Sequence, residues 1–494
     1  MENSRIVIDG TALTCAQIAR TAREDVTVAI APEGVERATA AWRTVRAVTE
    51  IQPVYGRTTG VGANRVVDVE WEDADAHGLR LLRSHAAGAG PLVASEIVRA
   101  MLTVRLNQLA AGGSGVEPGA LAALADVLNL GLLPPVPVYG AIGTGDLTAL
   151  ASTALCLLGE RAWLAGPDGA AERGPGYTLR SADALAFISS NAATLGEAAL
   201  ALADLRMLLR ASIVVAALSH FAVRASEEPY ASAVHEACPH PGQQEAAAAM
   251  RTLLAFEKPT PARIQDPYGY RAFPQVHGPA LESAAYAEEV VTREVNAASE
   301  NPLVDVAGRT VWHNGNFHTA YVGLSLDAAR AALFQTMALA AARLGTLAEP
   351  SFTGLYPFQG ATEASSGIMI LEYVAHSCLA DVRRLATPAA LGSAVLSRGV
   401  EEHAGFSTQS ARATTDAVAA YRLGLGCELV AAVRALRMQG RTPSGGPLRA
   451  ACDLATAVLD PRVEDRPLDT DIAAAADLLP RLAVFTANPA HCAR

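Results

Sequence analysis

Two short segments of this 494-residue chain combine residues that move protons and hold a carboxylate. Residues 55–62 read Tyr-Gly-Arg-Thr-Thr-Gly-Val-Gly, a turn-rich pattern that brings Tyr55 close to a ligand. Residues 264–275 place Tyr268 shortly before Arg271, whose planar guanidinium is suited to bidentate binding of a carboxylate. These residues indicate acid/base chemistry on a small carboxylate. From residue types alone, a purely structural role for Tyr55 and a surface position for Arg271 remain alternatives.

The elements that must position these loops are predicted to be helices. Ala- and Leu-rich stretches at helical spacing are too long for strands, and they cover residues 195–218, 280–298, 324–347 and 368–385. Gly and Pro concentrate between such stretches, mostly before residue 180, and indicate loops.

Composition alone suggests a convenient division of the chain near residue 195. The first region, 1–195, is loop-rich and carries the predicted active site, and the second, 196–494, is a helical bundle region. Since no flexible linker separates them, we expect the two regions to share one core.

Composition and charge exclude several classes of function. The chain is 51% apolar with a net charge of −11 and no Lys/Arg-rich run, which argues against a nucleic-acid partner. No apolar run reaches membrane-spanning length and no signal peptide is apparent, so we expect a soluble, cytoplasmic protein without a membrane partner. The seven cysteines show no CxxC pair, which favours reduced thiols.

Metal and pyridoxal chemistry are not expected either. Residues 235–240, His-Glu-Ala-Cys-Pro-His, have the wrong spacing for the HExxH zinc motif and contain a proline, so no metal site is predicted. Lys258 is the only lysine and is followed at once by Pro259, without a cofactor motif around it. A lysine Schiff base is therefore an improbable route to C–N bond chemistry.

Residues 137–147, Pro-Val-Tyr-Gly-Ala-Ile-Gly-Thr-Gly-Asp-Leu, resemble the G-x-x-A-S-G-D-L loop of the histidine and aromatic amino acid ammonia-lyases. In that family the Ala-Ser-Gly triad cyclises and dehydrates to the electrophile methylidene-imidazolone. The triad positions read Gly143, Thr144 and Gly145 in this chain. A group made from Thr144 would carry a methyl on the carbon that the substrate amine attacks, which hinders the attack. We therefore expect no functional cofactor of this kind.

Both proton-transfer segments resemble the same family. Residues 55–62 are similar to its Y-G-x-x-T-G-F-G loop, whose tyrosine is the catalytic base, with Val61 in place of Phe. Residues 265–275 are similar to its Q-D-x-Y-S-x-R-x-x-P-Q motif. The resemblance thus implies catalytic roles for the tyrosines and for the triad, and substrate binding for Gln265 and Arg271.

Further matches run in order along nearly the whole chain and imply more substrate-binding residues. Ser84 and His85 fall where the family sets side-chain choice and resemble histidine-specific members, as does Glu401 in the slot of the E-D-H motif. A capped, structural His85 remains an alternative. The matching segments 299–303 and 315–318 add Asn301 and Phe317 to the implied binding residues.

Departures from the family pattern cluster around the prosthetic group. Besides the triad, the I-N-G-T segment reads Ile-Ser-Ser-Asn, so that Ser189 takes the Asn position and the amide of Asn191 lies two residues on. Val400 replaces the Gln before Glu401. Changes gathered around one group predict that this group is lost or altered.

Three functions follow from the resemblance and the departures. The first is an enzyme without a functional methylidene-imidazolone, in which Tyr55 is the base and Tyr268 the acid during elimination or cyclisation of a small natural-product intermediate. The second is a histidine-type ammonia-lyase or aminomutase whose triad still cyclises. The third is an inactive homologue acting as a binding subunit, although such a protein has no need of both tyrosines.

The resemblance also implies the architecture. It predicts a mainly α, fumarase/aspartase-like fold with a long central helical bundle and a loop-built active site. It implies a homotetramer whose active sites are each assembled from more than one subunit. The helical periodicity by itself supports only the helices.

Overall fold

The structure, a computed structural model, describes residues 5–70, 73–164, 174, 177–257 and 260–486. Lys258 lies outside the described residues, and so does Cys492. The prediction of a mainly helical protein is confirmed. The helices, in chain order, are α1 (Cys15–Arg23), α2 (Pro32–Thr49), α3 (Ala74–His85), α4 (Ser95–Ala111), α5 (Gly119–Asn129), α6 (Leu147–Leu157), α7 (Ala184–Ile188), α8 (Ala192–Ala222), α9 (Ser232–Glu236), α10 (Pro241–Leu254), α11 (Tyr268–Arg271), α12 (Phe273–Val295), α13 (Ala320–Ala348), α14 (Pro350–Thr353), α15 (Met369–Leu385), α16 (Ser407–Met438), α17 (Gly446–Val458) and α18 (Asp469–Ala483).

The four predicted long helices correspond to α8, α12, α13 and α15. Helix α12 begins at Phe273, earlier than the predicted residue 280, and contains Pro279. Pro274 lies in its first turn, where no backbone N–H is needed, and Pro279 removes one hydrogen bond without ending the helix. Local sequence also sets other ends: Thr14 and Gln17 form a capping box before α1, and Gly112 ends α4 at φ +90°.

Three small sheets and several short 3-10 helices accompany these helices. Strands β1 (Arg5–Ile8) and β2 (Thr27–Ile30) are parallel, whereas the other two pairs are antiparallel: β3 (Ala89–Leu92) with β4 (Pro137–Tyr139), and β5 (Leu303–Asp305) with β6 (Thr310–Trp312). Strand β4 runs directly into the triad loop.

The chain forms two compact units, each built from three stretches. The first unit comprises Met1–Ala203, Ala287–Leu326 and Pro388–Arg412, and the second comprises Asp204–Tyr286, Asp327–Thr387 and Ala413–Arg494.

The core of the first unit begins directly beside the Tyr55 loop. Val54 is fully buried in an apolar cluster that joins α2 to strands β5 and β6; its other members are Ala41, Val45, Val48, Val304 and Val311. Burial of a valine side chain contributes about 1.5 to 3 kcal/mol, so the five valines of this cluster fix the start of the loop.

The second unit holds α11 on a buried ion pair. Arg343 donates from Nε and a terminal nitrogen to the two carboxylate oxygens of Glu428 at 2.6 and 2.8 Å, and its other terminal nitrogen donates to the Gly269 carbonyl at 3.2 Å. A Cβ at position 269 would lie 2.7 Å from Arg343 Cγ, which explains the glycine. This contact positions the neighbours Tyr268 and Arg271.

Contrary to the expectation that no apolar run reaches membrane-spanning length, one described helix, Ala320–Ala348, is long and apolar enough to cross a membrane by length and composition, and half of its most apolar window is buried in the protein. A core helix of a soluble protein has the same properties, so this observation is weak evidence for a span. Among the described ranges, no group of three or more His, Cys, Asp and Glu side chains is arranged to hold a metal ion.

Candidate active site

Tyr55 is held in place by a tight turn after the buried Val54. The Val54 carbonyl accepts hydrogen bonds from the backbone N–H groups of Arg57 and Thr58 at 3.0 and 2.9 Å. Gly56 follows at φ +73°, and a Cβ there would lie 2.0 Å from Leu185 Cδ2, so no larger residue fits. The turn leaves the Tyr55 hydroxyl free to accept a hydrogen bond from the Gly62 N–H at 2.7 Å.

Arg57 has a structural role. Its guanidinium donates to Asp183 Oδ1 at 2.7 Å and to the Gly115 carbonyl at 2.9 Å. The Asp183 carboxylate also accepts from the Glu117 N–H at 2.9 Å. The unusual charge in the Tyr55 loop therefore ties the loop to the segments that precede α5 and α7.

The triad loop is held through its backbone on both sides. Thr319 Oγ1 donates to the Gly143 carbonyl at 2.9 Å, and the Gly145 N–H donates to Asn191 Oδ1 at 2.9 Å. The Phe406 N–H donates to the Ile142 carbonyl at 2.8 Å. Gly143 and Gly145 have φ values of +86° and +116°, a region that favours glycine.

Asn191 helps to order the triad loop, although the family motif has its Asn at the position of Ser189. The Asn191 amide accepts from Gly145 and donates to the Phe317 carbonyl at 2.5 Å. Ser189 instead accepts from the Asn301 N–H at 3.2 Å. Asn191 thus orders the triad loop, and Ser189 orders the segment of Asn301.

Asp146 anchors the loop at its far end. Its carboxylate accepts hydrogen bonds from the N–H and hydroxyl of Thr194 at 2.7 and 2.9 Å, at the start of α8. Complete burial raises the pKa of this carboxyl to about 6, against the lowering effect of the Thr194 hydrogen bonds. Helix α8 therefore orients the residue next to the triad.

A buried ion pair fixes the segment that carries Asn301. Arg105, on α4, donates to Glu300 Oε1 at 2.8 Å and to the carbonyls of Ala186 and Phe187 at 2.6 and 3.0 Å. Burial lowers the pKa of Arg105 and raises the pKa of Glu300, while their mutual attraction opposes both shifts. One guanidinium thus holds both the end of α7 and the residue before Asn301.

Glu401 stands on a short loop that contacts the Tyr55 loop. Leu396 and Glu401 pair through their backbones, since the Leu396 N–H donates to the Glu401 carbonyl at 2.8 Å. Within this turn, Ser397 Oγ accepts from the Ala63 N–H at 3.0 Å. The contact brings Glu401 to the cavity that Tyr55 lines.

These loops enclose a cavity of about 500 Å³ in the first unit. Seven of the residues predicted from the sequence line it: Tyr55, Thr144, Gly145, Ser189, Asn301, Phe317 and Glu401. Leu147, Leu185 and Val400 supply apolar wall. A cavity of this size accommodates a small molecule.

Sequence reasoning missed two polar residues of the cavity wall, Arg65 and His313. The Tyr55 N–H donates to His313 Nε2 at 3.2 Å, and the two rings meet edge to face. Arg65 makes one long hydrogen bond, from a terminal nitrogen to the Gly62 carbonyl at 3.5 Å. Arg65 follows the Tyr55 loop by three residues, and only that proximity could have indicated it.

The cavity favours the protonated form of Tyr55. Burial raises the pKa of its phenol, the Gly62 hydrogen bond lowers it, Glu401 raises it and Arg65 lowers it, with a net rise. At neutral pH Tyr55 therefore carries its proton. Arg65 and Glu401 act on this proton in opposite directions.

Other predicted site residues do not line this cavity. Gly143 is buried behind Thr144, and His85 ends α3 with Nδ1 2.9 Å from the Leu81 carbonyl and 3.0 Å from Ser84 Oγ. Gln265, Tyr268 and Arg271 belong to the second unit. There the guanidinium of Arg271 lies 4.7 Å above the Tyr268 ring, the Tyr268 side chain is 67% exposed, and Arg271 Nε is buried without a partner.

The residues of the triad loop do not fit the prosthetic group of the resembling family. A Cβ at position 143 would lie 2.5 Å from Ser407 Oγ, so the family's alanine has no room in this loop conformation. Position 144 is a threonine, whose β-carbon carries a methyl group, and the nitrogen at position 145 is engaged with Asn191.

Comparison with known proteins adds independent findings. Residues 13–457 match the family described as aromatic amino acid lyase. The histidine ammonia-lyase of Stigmatella aurantiaca is 33% identical over 494 residues, covering 97% of each chain. Among solved structures, histidine ammonia-lyase from Trypanosoma cruzi is similar with a TM-score of 0.90 and 28% identity, covering 98% of this chain and 96% of that one. Tyrosine aminomutase from Streptomyces globisporus is similar with a TM-score of 0.89 and 28% identity, covering 97% of each.

Proposed function

The chain belongs to the aromatic amino acid lyase family, and from this membership we propose an enzyme that moves protons through tyrosines without a methylidene-imidazolone. Its reaction is elimination or ring closure on a small natural-product intermediate, in the cytoplasm. The observation that carries the proposal is the pairing, in one cavity, of a hydrogen-bonded Tyr55 with an altered triad at Thr144.

The protonation state of Tyr55 limits the substrates. A free tyrosine with a pKa of about 10 is only about 0.1% phenolate at pH 7, and the raised pKa of Tyr55 makes that fraction smaller. The hydrogen beside the imidazole of histidine is too weakly acidic for such a base without an electrophilic group. We therefore propose a substrate whose hydrogen is acidified by a neighbouring ketone or thioester.

The charges of the cavity favour a substrate that carries both signs. Arg65 offers a guanidinium to an anionic group, while Glu401 offers a carboxylate to a cation or an N–H donor. Ser189 and Asn301 add polar groups to the lining of the cavity. A zwitterionic or imidazole-bearing carboxylate of small size satisfies all four.

Tyr268 and Arg271 complete the site in this proposal when a second copy supplies them. Tyr268 is the acid and Arg271 the carboxylate anchor, with Gln265 beside them. Exposed apolar side chains of the second unit, such as Ile264 at 93% and Tyr373 at 68%, favour burial against another copy. We propose a homotetramer as the working form.

A histidine-type ammonia-lyase or aminomutase is the second candidate. The observation in its favour is the relatedness to a histidine ammonia-lyase and to a tyrosine aminomutase over nearly the full chain. In that case Gly143, Thr144 and Gly145 cyclise to a methylated group, and His85 contributes to the recognition of the side chain. An inactive binding subunit is disfavoured by the hydrogen-bonded Tyr55 in an open cavity.

Hydrogen exchange in deuterium oxide separates the candidates. The protein is incubated with L-histidine and, separately, with imidazole-4-pyruvate. The methylene hydrogens of imidazole-4-pyruvate lie on the carbon next to a ketone. We expect deuterium to enter the oxo acid faster than in buffer alone, observed by NMR, and no urocanate to form from histidine.

Two variants interpret the exchange. Tyr55→Phe should abolish the enhancement, while Tyr177→Phe, which removes another half-buried phenol that is hydrogen-bonded to Glu117, should retain it. Urocanate or ammonia from histidine would establish the second candidate. Exchange that is no faster than in buffer would contradict the proposed proton transfer.

A further inference from the structure

Gly143 lies against the start of α16, closer than any side chain at that position permits. A Cβ built there would be 2.5 Å from Ser407 Oγ, 2.8 Å from the Ser407 backbone nitrogen and 3.1 Å from the Phe406 nitrogen. The nearest of these atoms is the serine hydroxyl. Ser407 is itself fully buried, so its side chain has no free space into which to turn.

The same hydroxyl takes part in a hydrogen-bond chain that ends on the triad. Ser407 Oγ and Thr319 Oγ1 are 2.5 Å apart, and Thr319 Oγ1 donates to the Gly143 carbonyl at 2.9 Å. Since Thr319 uses its proton on that carbonyl, Ser407 donates to Thr319. The carbonyl of residue 143 is thereby fixed from the α16 side, while Asn191 holds the nitrogen of Gly145 from the other.

We propose that Ser407 and Gly143 are a matched pair, and that Ser407 is the positioning residue that keeps the triad loop in its open shape. The hydroxyl is the nearest of the α16 atoms that an alanine methyl at position 143 would meet, the others being backbone nitrogens, and through Thr319 it orients the carbonyl that ring closure would use. The inference depends on the proposed function in one respect, namely that residues 143–145 remain uncyclised.

A double-mutant cycle of thermal unfolding tests the pair. Gly143→Ala is made in the wild-type chain and in Ser407→Ala, and the shift of the unfolding midpoint is compared. The strain of an alanine at φ +86° and its close contacts with the backbone nitrogens of Phe406 and Ser407 are present in both backgrounds and cancel, so the difference reports the contact with the hydroxyl. We expect the shift to be smaller in Ser407→Ala than in the wild-type chain.

Ser410→Ala is the matched control. Ser410 is a buried serine of the same helix whose hydroxyl donates to the Gly323 carbonyl at 3.1 Å. Gly143→Ala should shift the midpoint equally in Ser410→Ala and in the wild-type chain. Equal shifts in Ser407→Ala and the wild-type chain would overturn the proposal. If Gly143→Ala folds only together with Ser407→Ala, that rescue is the expected coupling, and failure of both to fold contradicts it.

Intact mass gives a readout that packing alone would not change. Closing the ring forms a bond between the nitrogen of residue 145 and the carbonyl carbon of residue 143 with loss of one water, and dehydration of a serine at 144 loses another. We expect Gly143→Ala/Thr144→Ser to keep its full mass and the same variant with Ser407→Ala to lose two waters. Loss by both, or by neither, would overturn the proposal.

The wild-type chain distinguishes failure of this inference from failure of the proposed function. If its mass is already lower by two waters, the proposed function fails. If its mass is full and the unfolding cycle is additive, only the pairing of Ser407 with Gly143 fails.

Discussion

Replacing Arg105 with methionine should be among the most destabilising single changes near the cavity. The substitution keeps the length and the apolar stem of the side chain but removes its charge and three hydrogen bonds, to Glu300, Ala186 and Phe187. Glu300 then remains as a buried carboxyl without its cation. Both side chains of the pair are only 1% exposed.

The expected magnitude follows from that burial. Removing one member of a buried ion pair costs about 3–5 kcal/mol of unfolding free energy, because the remaining charge stays desolvated. An exposed pair gives a matched control: Arg83 and Glu160 lie 2.7 Å apart, similar to the 2.8 Å of the buried pair, with side chains 57% and 31% exposed. Arg83→Met should therefore cost only a small fraction of that amount.

Urea unfolding followed by circular dichroism measures the loss of unfolding free energy in each variant. The dependence of that free energy on urea concentration is compared as well, because a change in it indicates a change in the surface exposed on unfolding. The deficit of Arg105→Met should shrink as the pH falls from 7 towards 5. The Glu300 pKa is raised by burial, so protonation favours its folded state, and removal of Arg105 raises that pKa further. Adding Glu300→Gln should restore part of the loss.

If Arg105→Met loses no more stability than Arg83→Met, the predicted cost of breaking the buried ion pair is contradicted. The same holds if the deficit is unchanged between pH 7 and pH 5. The first outcome would mean that Arg105 does not fix the end of α7 and the segment of Asn301, and the second that Glu300 is not left as an unpaired buried charge.

Two further predictions concern pH. The pKa of Asp146 is raised from 3.8 to about 6, so its contribution to stability is fully present below its unfolded pKa and is lost as the pH rises through about 6. The loss of unfolding free energy amounts to about 3 kcal/mol. Unfolding midpoints measured from pH 4 to 7 should show a smaller loss in Asp146→Asn. A profile of Asp146→Asn as steep as that of the wild-type chain would contradict it. The second prediction concerns the deuterium exchange of imidazole-4-pyruvate, taken as the rate with enzyme minus the rate in buffer. Because the pKa of Tyr55 is raised, the part of this rate that depends on Tyr55 should rise about tenfold per pH unit between 7 and 9. A flat profile would exclude the phenolate as base.

Motifs and periodicity predicted the features that depend on local sequence. The Ala- and Leu-rich spacing indicated α8, α13 and α15, and the glycines of residues 55–62 indicated a loop beside a ligand cavity. Both kinds of feature are set by residues close together in the chain. For that reason, a single sequence is sufficient to predict them.

Contacts between distant segments could not be predicted. The packing of Gly143 against Ser407 depends on how the triad loop meets α16, and no spacing in the sequence encodes it. Arg65 and His313 reach the cavity only because the Tyr55 loop turns at Gly56 and β6 ends beside it. The start of α12 at Phe273 was obscured by prolines that the helix tolerates.

The intact mass of the purified wild-type protein shows directly whether residues 143–145 have cyclised. We expect the full mass of the 494-residue sequence, apart from any removal of the initiator methionine, with Thr144 retaining its hydroxyl. A chain lighter by two water molecules, with the loss located by fragmentation at residues 143–145, would contradict it.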